Sequence, residues 1–159
     1  MDTVDTDWQR RIDDVYAGGD EDSYIELVDE IAAELPEEHA VALFERGGAR
    51  DATGDEKGAV GFYERALAAG LDDSRRRQCV IQLASSYRNI GDPERAVALL
   101  TEERGRVSDD LDDAVVAFLA LALADLGRER EGLAMTLGAL GGHFTRYRRS
   151  LLYYAAELA

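Results

Sequence analysis

Apolar and small residues recur along this chain at intervals of three and four, and a glycine interrupts them every few turns. Between Tyr63 and Leu100 the sequence reads YERALAAGLDDSRRRQCVIQLASSYRNIGDPERAVALL. Its apolar positions follow the helical period and not the alternation of a half-buried strand. The same pattern elsewhere predicts helices over residues 5–17, 22–35, 37–52, 56–69, 74–90, 93–104, 111–126, 129–140 and 144–158. Only two prolines interrupt the 159 residues, and the abundance of Ala and Leu favours helix throughout.

The glycines carry a longer period. Gly54-Asp55 recurs as Gly91-Asp92 and earlier as Gly19-Asp20, with Gly127-Arg128 as a looser fourth copy, at spacings of 35, 37 and 36 residues. A helix ends well on a residue that adopts a left-handed conformation, which glycine does cheaply. The following Asp can cap the next helix, and Pro93 suits a first helical position. Seven residues before each glycine stand Ile12, Gly47, Ala84 and Ala120; five after it stand Tyr24, Ala59, Ala96 and Gly132. Outside the first unit both places hold small residues, which let two helices of a hairpin approach closely. Eleven before the glycine come Trp8, Leu43, Val80 and Val116, and nine after it Val28, Tyr63, Leu100 and Thr136. Twelve after come Ile31, Ala66, Glu103 and Ala139, and Pro36 closes the first unit. A repeat of this length marks stacked hairpins that bury their faces against their neighbours. The expected organisation is one domain over 1–159, with units near 5–38, 39–74, 75–110 and 111–143 and a capping helix over 144–158.

An apolar opener, small residues at two helix crossings, an aromatic in the second helix and a closing proline together resemble the tetratricopeptide repeat. The likeness is carried by Trp8 and Pro36, by Ala59, Tyr63 and Ala66, and by Leu83, Ala84, Tyr87 and Ala96. From about Ala40 to Leu140 the chain is similar to the bacterial tetratricopeptide repeat group 5 family. The resemblance implies an all-α fold, a right-handed α-solenoid of stacked helical hairpins with a C-terminal capping helix. It also implies a binding role, as a non-enzymatic protein–protein interaction scaffold, and no reaction. Some relatives grip a partner's terminal carboxylate with a lysine–asparagine clamp. The corresponding positions here are Phe44, Gly48, Gln82, Ala114 and Phe118, so that clamp is absent.

In such a stack the first helix of each hairpin lines the inner wall. In the third unit the face away from the core carries Gln78, Gln82, Ser85 and Asn89, flanked by Ile81 and Arg88. Amides bond a peptide backbone in either direction, and Arg88 can pair with a carboxylate. Phe44, Gly48 and Asp51 extend the wall from the second unit, Ala117, Leu121 and Asp125 from the fourth, and Asp13 and Tyr16 from the first. A peptide or protein segment is the expected occupant; ordinary solvated surface and a small-molecule or enzymatic site are the alternatives. The C-terminal stretch FTRYRRSLLYYAAELA offers Phe144, Tyr147, Leu151, Ala155 and Leu158 as one stripe. It reads as a lid, while Leu152, Tyr153 and Tyr154 leave room for a homodimer contact.

Charge narrows the partners. The formal net charge is −15, which repels phosphate backbones and argues against nucleic acid. The sign suits a cationic partner, or solubility alone. No apolar run is long enough for a membrane span, and the acidic start lacks a signal core, so a cytoplasmic location is expected. One cysteine, Cys79, excludes an internal disulfide; it is a candidate reactive thiol or a small helical residue. His39 and His143 stand alone, at places that read as surface or cap positions, so no metal is expected. The acids of GDEDSYIELVDE lack the glycine and spacing of a calcium loop, and those of SDDLDDAVV suit a helix start. The glycines at GALGGHF precede no GK[ST], and no nucleophile elbow occurs. SRRRQ, from Ser74, reads as a solvated turn paired to Asp72 and Asp73. No cofactor is implied.

Overall fold

The computed structural model describes residues 4–106 and 108–159. Among them are nine α-helices and no strand. The helices are α1 (Thr6–Gly18), α2 (Tyr24–Ala32), α3 (Ala40–Ala52), α4 (Glu56–Ala69) and α5 (Asp73–Asn89), then α6 (Pro93–Arg104), α7 (Asp112–Asp125), α8 (Glu129–Gly141) and α9 (Arg148–Leu158). A short 3-10 turn, Glu21–Ser23, precedes α2. The chain divides into two compact units, one ending at Ser86 and the other beginning at Tyr87.

The repeat is visible as one piece of backbone geometry made three times. The amide of Asp55 donates to the carbonyl of Arg50 at 2.9 Å, that of Asp92 to Tyr87 at 2.8 Å and that of Arg128 to Leu123 at 2.9 Å. Each bond runs from the residue after a repeat glycine to the residue four before it, closing the helix end. The geometry needs a left-handed residue, and Gly54, Gly91 and Gly127 have φ of 80°, 86° and 72°. Asp55 and Asp92 then cap the next helix, accepting from Gly58 at 3.0 Å and Arg95 at 3.3 Å.

In the first unit each of α1 to α4 packs on the next. Trp8, Ile12, Tyr24, Val28, Ala32, Val41, Ala42 and Ala49 bury one cluster, and the Trp8 indole donates to the Ile31 carbonyl at 3.1 Å. Asp29 of α2 takes two bonds from the Arg50 guanidinium of α3, at 3.2 and 2.8 Å. Gly47 sets how closely α3 and α4 approach. A Cβ there would fall 2.6 Å from two ring atoms of Tyr63, whose side chain is fully buried. In the second unit α6, α7, α8 and α9 pack consecutively over Leu100, Val115, Leu119 and Leu123. There Gly132 meets the Ala120 backbone, with the carbonyl 2.9 Å from where a Cβ would lie.

Three expected boundaries move by three residues or more. The helix expected over 22–35 ends at Ala32, and the one expected from 37 begins at Ala40. Pro36 lacks an N–H and disfavours helix in the residue before it. The helix expected from Phe144 begins at Arg148. Tyr147 takes a left-handed φ of 63° and is 79% exposed, so Phe144 and Tyr147 leave the expected stripe and Ala155 is buried without them. Gly141 lets α9 come close, since a Cβ there would meet the Leu152 side chain at 2.8 Å.

Two glycine substitutions should move stability in opposite directions. Gly47→Ala overpacks a crossing that cannot yield and should cost about 1–3 kcal/mol. Gly61→Ala, on an exposed part of α4 with nothing within 4 Å of its added carbon, should gain about 0.5–1 kcal/mol. Urea unfolding followed by helical circular dichroism reads both; equal midpoints would refute the close-approach account.

Candidate functional site

In the first unit, α1, α3 and the start of α5 wall an open cleft of about 740 Å³. Helical spacing explains which side chains reach it. Gln9, Asp13 and Tyr16 share one face of α1; Phe44, Gly48 and Asp51 share one face of α3; Gln78 and Gln82 lie one turn apart on α5. The Phe44 and Tyr63 rings, with centroids 6.1 Å apart, form the floor.

Glu45 is the unusual group. It belongs to the cleft lining, yet it is only 8% exposed. Burial pushes its carboxyl up to about 7, against partial relief from a Gln9 hydrogen bond and the Arg75 charge. Gln9 ties the walls together. Its amide nitrogen donates to Asp13 at 3.1 Å and to Glu45 at 3.3 Å, and its carbonyl accepts from Arg75 at 3.1 Å. Arg75 also donates to Asp72 at 2.8 Å. The Tyr16 hydroxyl donates to the Glu45 backbone carbonyl at 3.3 Å. Asp51 accepts from the Tyr63 hydroxyl at 3.4 Å and from Ser86 at 3.3 Å, and burial raises its carboxyl above the ordinary range. The side-chain oxygen of Gln82 is buried and has no hydrogen-bond partner. Four carboxyl groups, on Asp13, Glu45, Asp51 and Asp72, therefore share the lining with one guanidinium, Arg75.

Of the residues expected to form the binding wall, Phe44, Asp51, Gln78 and Gln82 meet in this cleft. Ile81 sits beside them on α5 but is 8% exposed and packs inward; Ser85 is half-buried. Arg88, Asn89, Ala117 and Leu121 belong to the second unit. There the Arg88 guanidinium pairs with Asp125 at 2.6 Å, Asn89 ends α5, and Ala117 and Leu121 are exposed on α7. Gln9, Glu45, Asp72, Ser74 and Arg75 line the cleft without having been expected there. Gln9 was reachable by stepping back one turn from Asp13; Glu45 gave no signal.

The remaining candidates resolve differently. Cys79 is fully buried and donates to the Tyr63 carbonyl at 3.7 Å. Burial pushes its thiol up to about 12, so it stays protonated and unreactive. His39 stands at the N-cap position of α3 but is buried, and His143 contacts Asp113 at 2.7 Å on the surface. Among the described residues no group of three or more His, Cys, Asp or Glu is placed to hold a metal ion. The expected pairing of SRRRQ to Asp72 is present through Arg75, but the solvated turn is corrected: Ser74 to Gln78 lie in the first turns of α5, Arg75 also reaches Gln9, and Arg77 is buried. No helix among the described residues is long and apolar enough to cross a membrane.

A family model described as a tetratricopeptide repeat, group 5, matches residues 40–158. The chain belongs to the tetratricopeptide repeat family. The match spans most of the chain and agrees with the all-helical fold, in which α1 to α4 and α6 to α9 each pack consecutively. No curated protein matches the sequence. Tetratricopeptide repeats generally mediate protein–protein interactions and are generally non-catalytic, and in this member α1, α3 and α5 are the elements that wall the cleft.

The Glu45 carboxyl makes a signed prediction. Its folded pKa lies above the ordinary 4.5 of the unfolded chain. Its contribution is therefore fully present below that value and is lost as pH rises through about 7. Glu45→Gln should unfold near the wild-type midpoint in acid and pull ahead as pH rises, by up to about 3 kcal/mol. Parallel stability–pH curves for the two proteins would refute a buried, reluctant carboxylate.

Proposed function

We propose that this protein is a non-enzymatic interaction scaffold that holds an extended peptide segment of a partner protein in the cleft of its first unit. The observation that carries the reading is the Gln82 side chain. Its oxygen is buried in the wall of an open cleft with no donor to meet it. A buried acceptor left unmade costs about 1–3 kcal/mol, and a turn of the side chain towards the open cleft would let a peptide N–H satisfy it. Gln78, one turn away, keeps its amide at the surface with a single long contact to Ser74 at 3.4 Å. Uncharged amides suit a peptide backbone because they donate and accept. The Phe44–Tyr63 floor offers an apolar base beneath them.

The test separates binding from folding. Peptides selected from a random displayed library on the immobilised chain should lose at least about tenfold in affinity for Gln82→Leu and Gln78→Ala, the loss expected from removing a hydrogen bond to a peptide group. Gln82→Leu should unfold at or above the wild-type temperature, because it removes an unmet acceptor. Undiminished binding to both variants would take the cleft out of the account.

A further inference from the structure

We infer that the cleft selects a cationic segment, and that a lysine or arginine side chain of the partner seats between Asp13 and Glu45 above the aromatic floor. The inference rests on the peptide-binding reading above and names the partner's chemistry. Acidic residues on a surface would not suffice for it, since this chain is acidic almost everywhere. What distinguishes this place is concavity, burial and the way its charges are already committed.

Asp13 and Glu45 come from different helices and are held side by side by one amide group, the Gln9 side-chain nitrogen, at 3.1 and 3.3 Å. Two carboxyl groups that meet only the two N–H donors of one neutral amide are short of positive charge. Arg75, the single cation in the lining, does not supply it directly. Its guanidinium is bound to Asp72 and to the Gln9 oxygen, at 2.8 and 3.1 Å. Asp51, farther along α3, faces hydroxyl donors alone. An incoming ammonium or guanidinium would offer charge-assisted bonds to the first two carboxylates. The aliphatic stem of a long basic side chain would lie along Phe44. Glu45 is buried, so its attraction for that charge is screened far less than that of an exposed acid.

The arrangement also makes capture depend on pH. The titratable and charged groups around Glu45 are Asp13 and Tyr16 from α1 and Arg75 from α5. Glu45 changes charge near neutrality, and a bound cation would draw its proton off. Capture of a cationic segment should therefore tighten as pH rises through that range.

The experiment uses the full chain and a random dodecapeptide library at about 0.15 M salt, where exposed charges are screened beyond roughly 8 Å. Fluorescence anisotropy then measures the selected peptides. The expected result is enrichment in Lys or Arg, and a loss of at least about tenfold for Asp13→Asn and for Glu45→Gln. Glu26→Gln, an equal change of charge on an exposed part of α2 outside the cleft, should change affinity by less than about twofold. Wild-type affinity should rise from about pH 6 to about pH 8, and Glu45→Gln should lose most of that rise. Asp13 is exposed, so Asp13→Asn keeps the test open even if the Glu45 variant alters the fold. Peptides that lose binding to Gln82→Leu yet show no enrichment in basic residues would overturn this inference and leave the peptide reading standing. Basic peptides held equally by Asp13→Asn and Glu45→Gln would overturn it as general charge attraction. No selectable peptide at all would overturn both.

Discussion

The contact on which the site depends is Gly47 against the ring of Tyr63. With no side chain on α3 at that crossing, the Tyr63 ring comes close to the backbone, with two of its atoms 2.6 Å from where an added carbon would lie. α4 is thereby held close behind α3, and Tyr63 can reach through to meet Phe44 and donate to Asp51. The floor of the cleft is thus a by-product of helix packing. Close-packed interiors of this kind yield little, so the side chains above the floor start from a fixed base. The repeat geometry supplies the rest, by ending α3 at a left-handed glycine and starting α4 on an Asp cap.

Onto that rigid base the protein places a polar wall that is not fully satisfied internally. Gln9 serves two carboxyl groups and one guanidinium, while the Gln82 oxygen is unused. Burial of Glu45 resists the charge on its carboxyl. Buried polar groups are ordinarily paired, and exceptions call for a reason. Here one exception, the Gln82 oxygen, belongs to the cleft of the first unit, which Glu45 also lines, while those on Arg11, His39 and Arg46 lie outside its lining. Stability given up at such a place is consistent with a site completed from outside. An interior laid down for stability alone would put an apolar residue at position 45, where Glu45 carries a cost that grows with pH.

Much of this fold was legible in the sequence because its repeat marks are local. Gly54, Gly91 and Gly127 end helices through the same backbone bonds, and a residue that must be left-handed announces itself as glycine. Gly47 is small because Tyr63 of α4 lies against it, and its phase relative to the glycines was readable. The start of α9 was not. Phe144 and Tyr147 fit an apolar stripe, but nothing in their spacing says that the chain must turn there, and Tyr147 adopts a conformation that tyrosine seldom takes. The site was legible in part. Phe44, Asp51, Gln78 and Gln82 follow from helical faces, whereas Glu45 is buried by groups far away in sequence, including Gln9 and Arg75. A glutamate within an otherwise apolar helical turn reads as solvated until those partners are in place.

The central claim is that the acidic cleft of the first unit, and not the tyrosine-rich surface of α9, receives the partner. Tyr153 and Tyr154 are 60% and 63% exposed, so the rival surface is real and must be read in the same experiment. Nuclear magnetic resonance of the isotope-labelled full chain, titrated with a terminally blocked lysine-containing peptide, reports on both at once. The account predicts saturable shifts of the Gln9, Gln78 and Gln82 side-chain amides and of the Glu45 carboxyl, with α9 unmoved. Shifts confined to Leu152, Tyr153 and Tyr154, with the cleft unchanged, would contradict it.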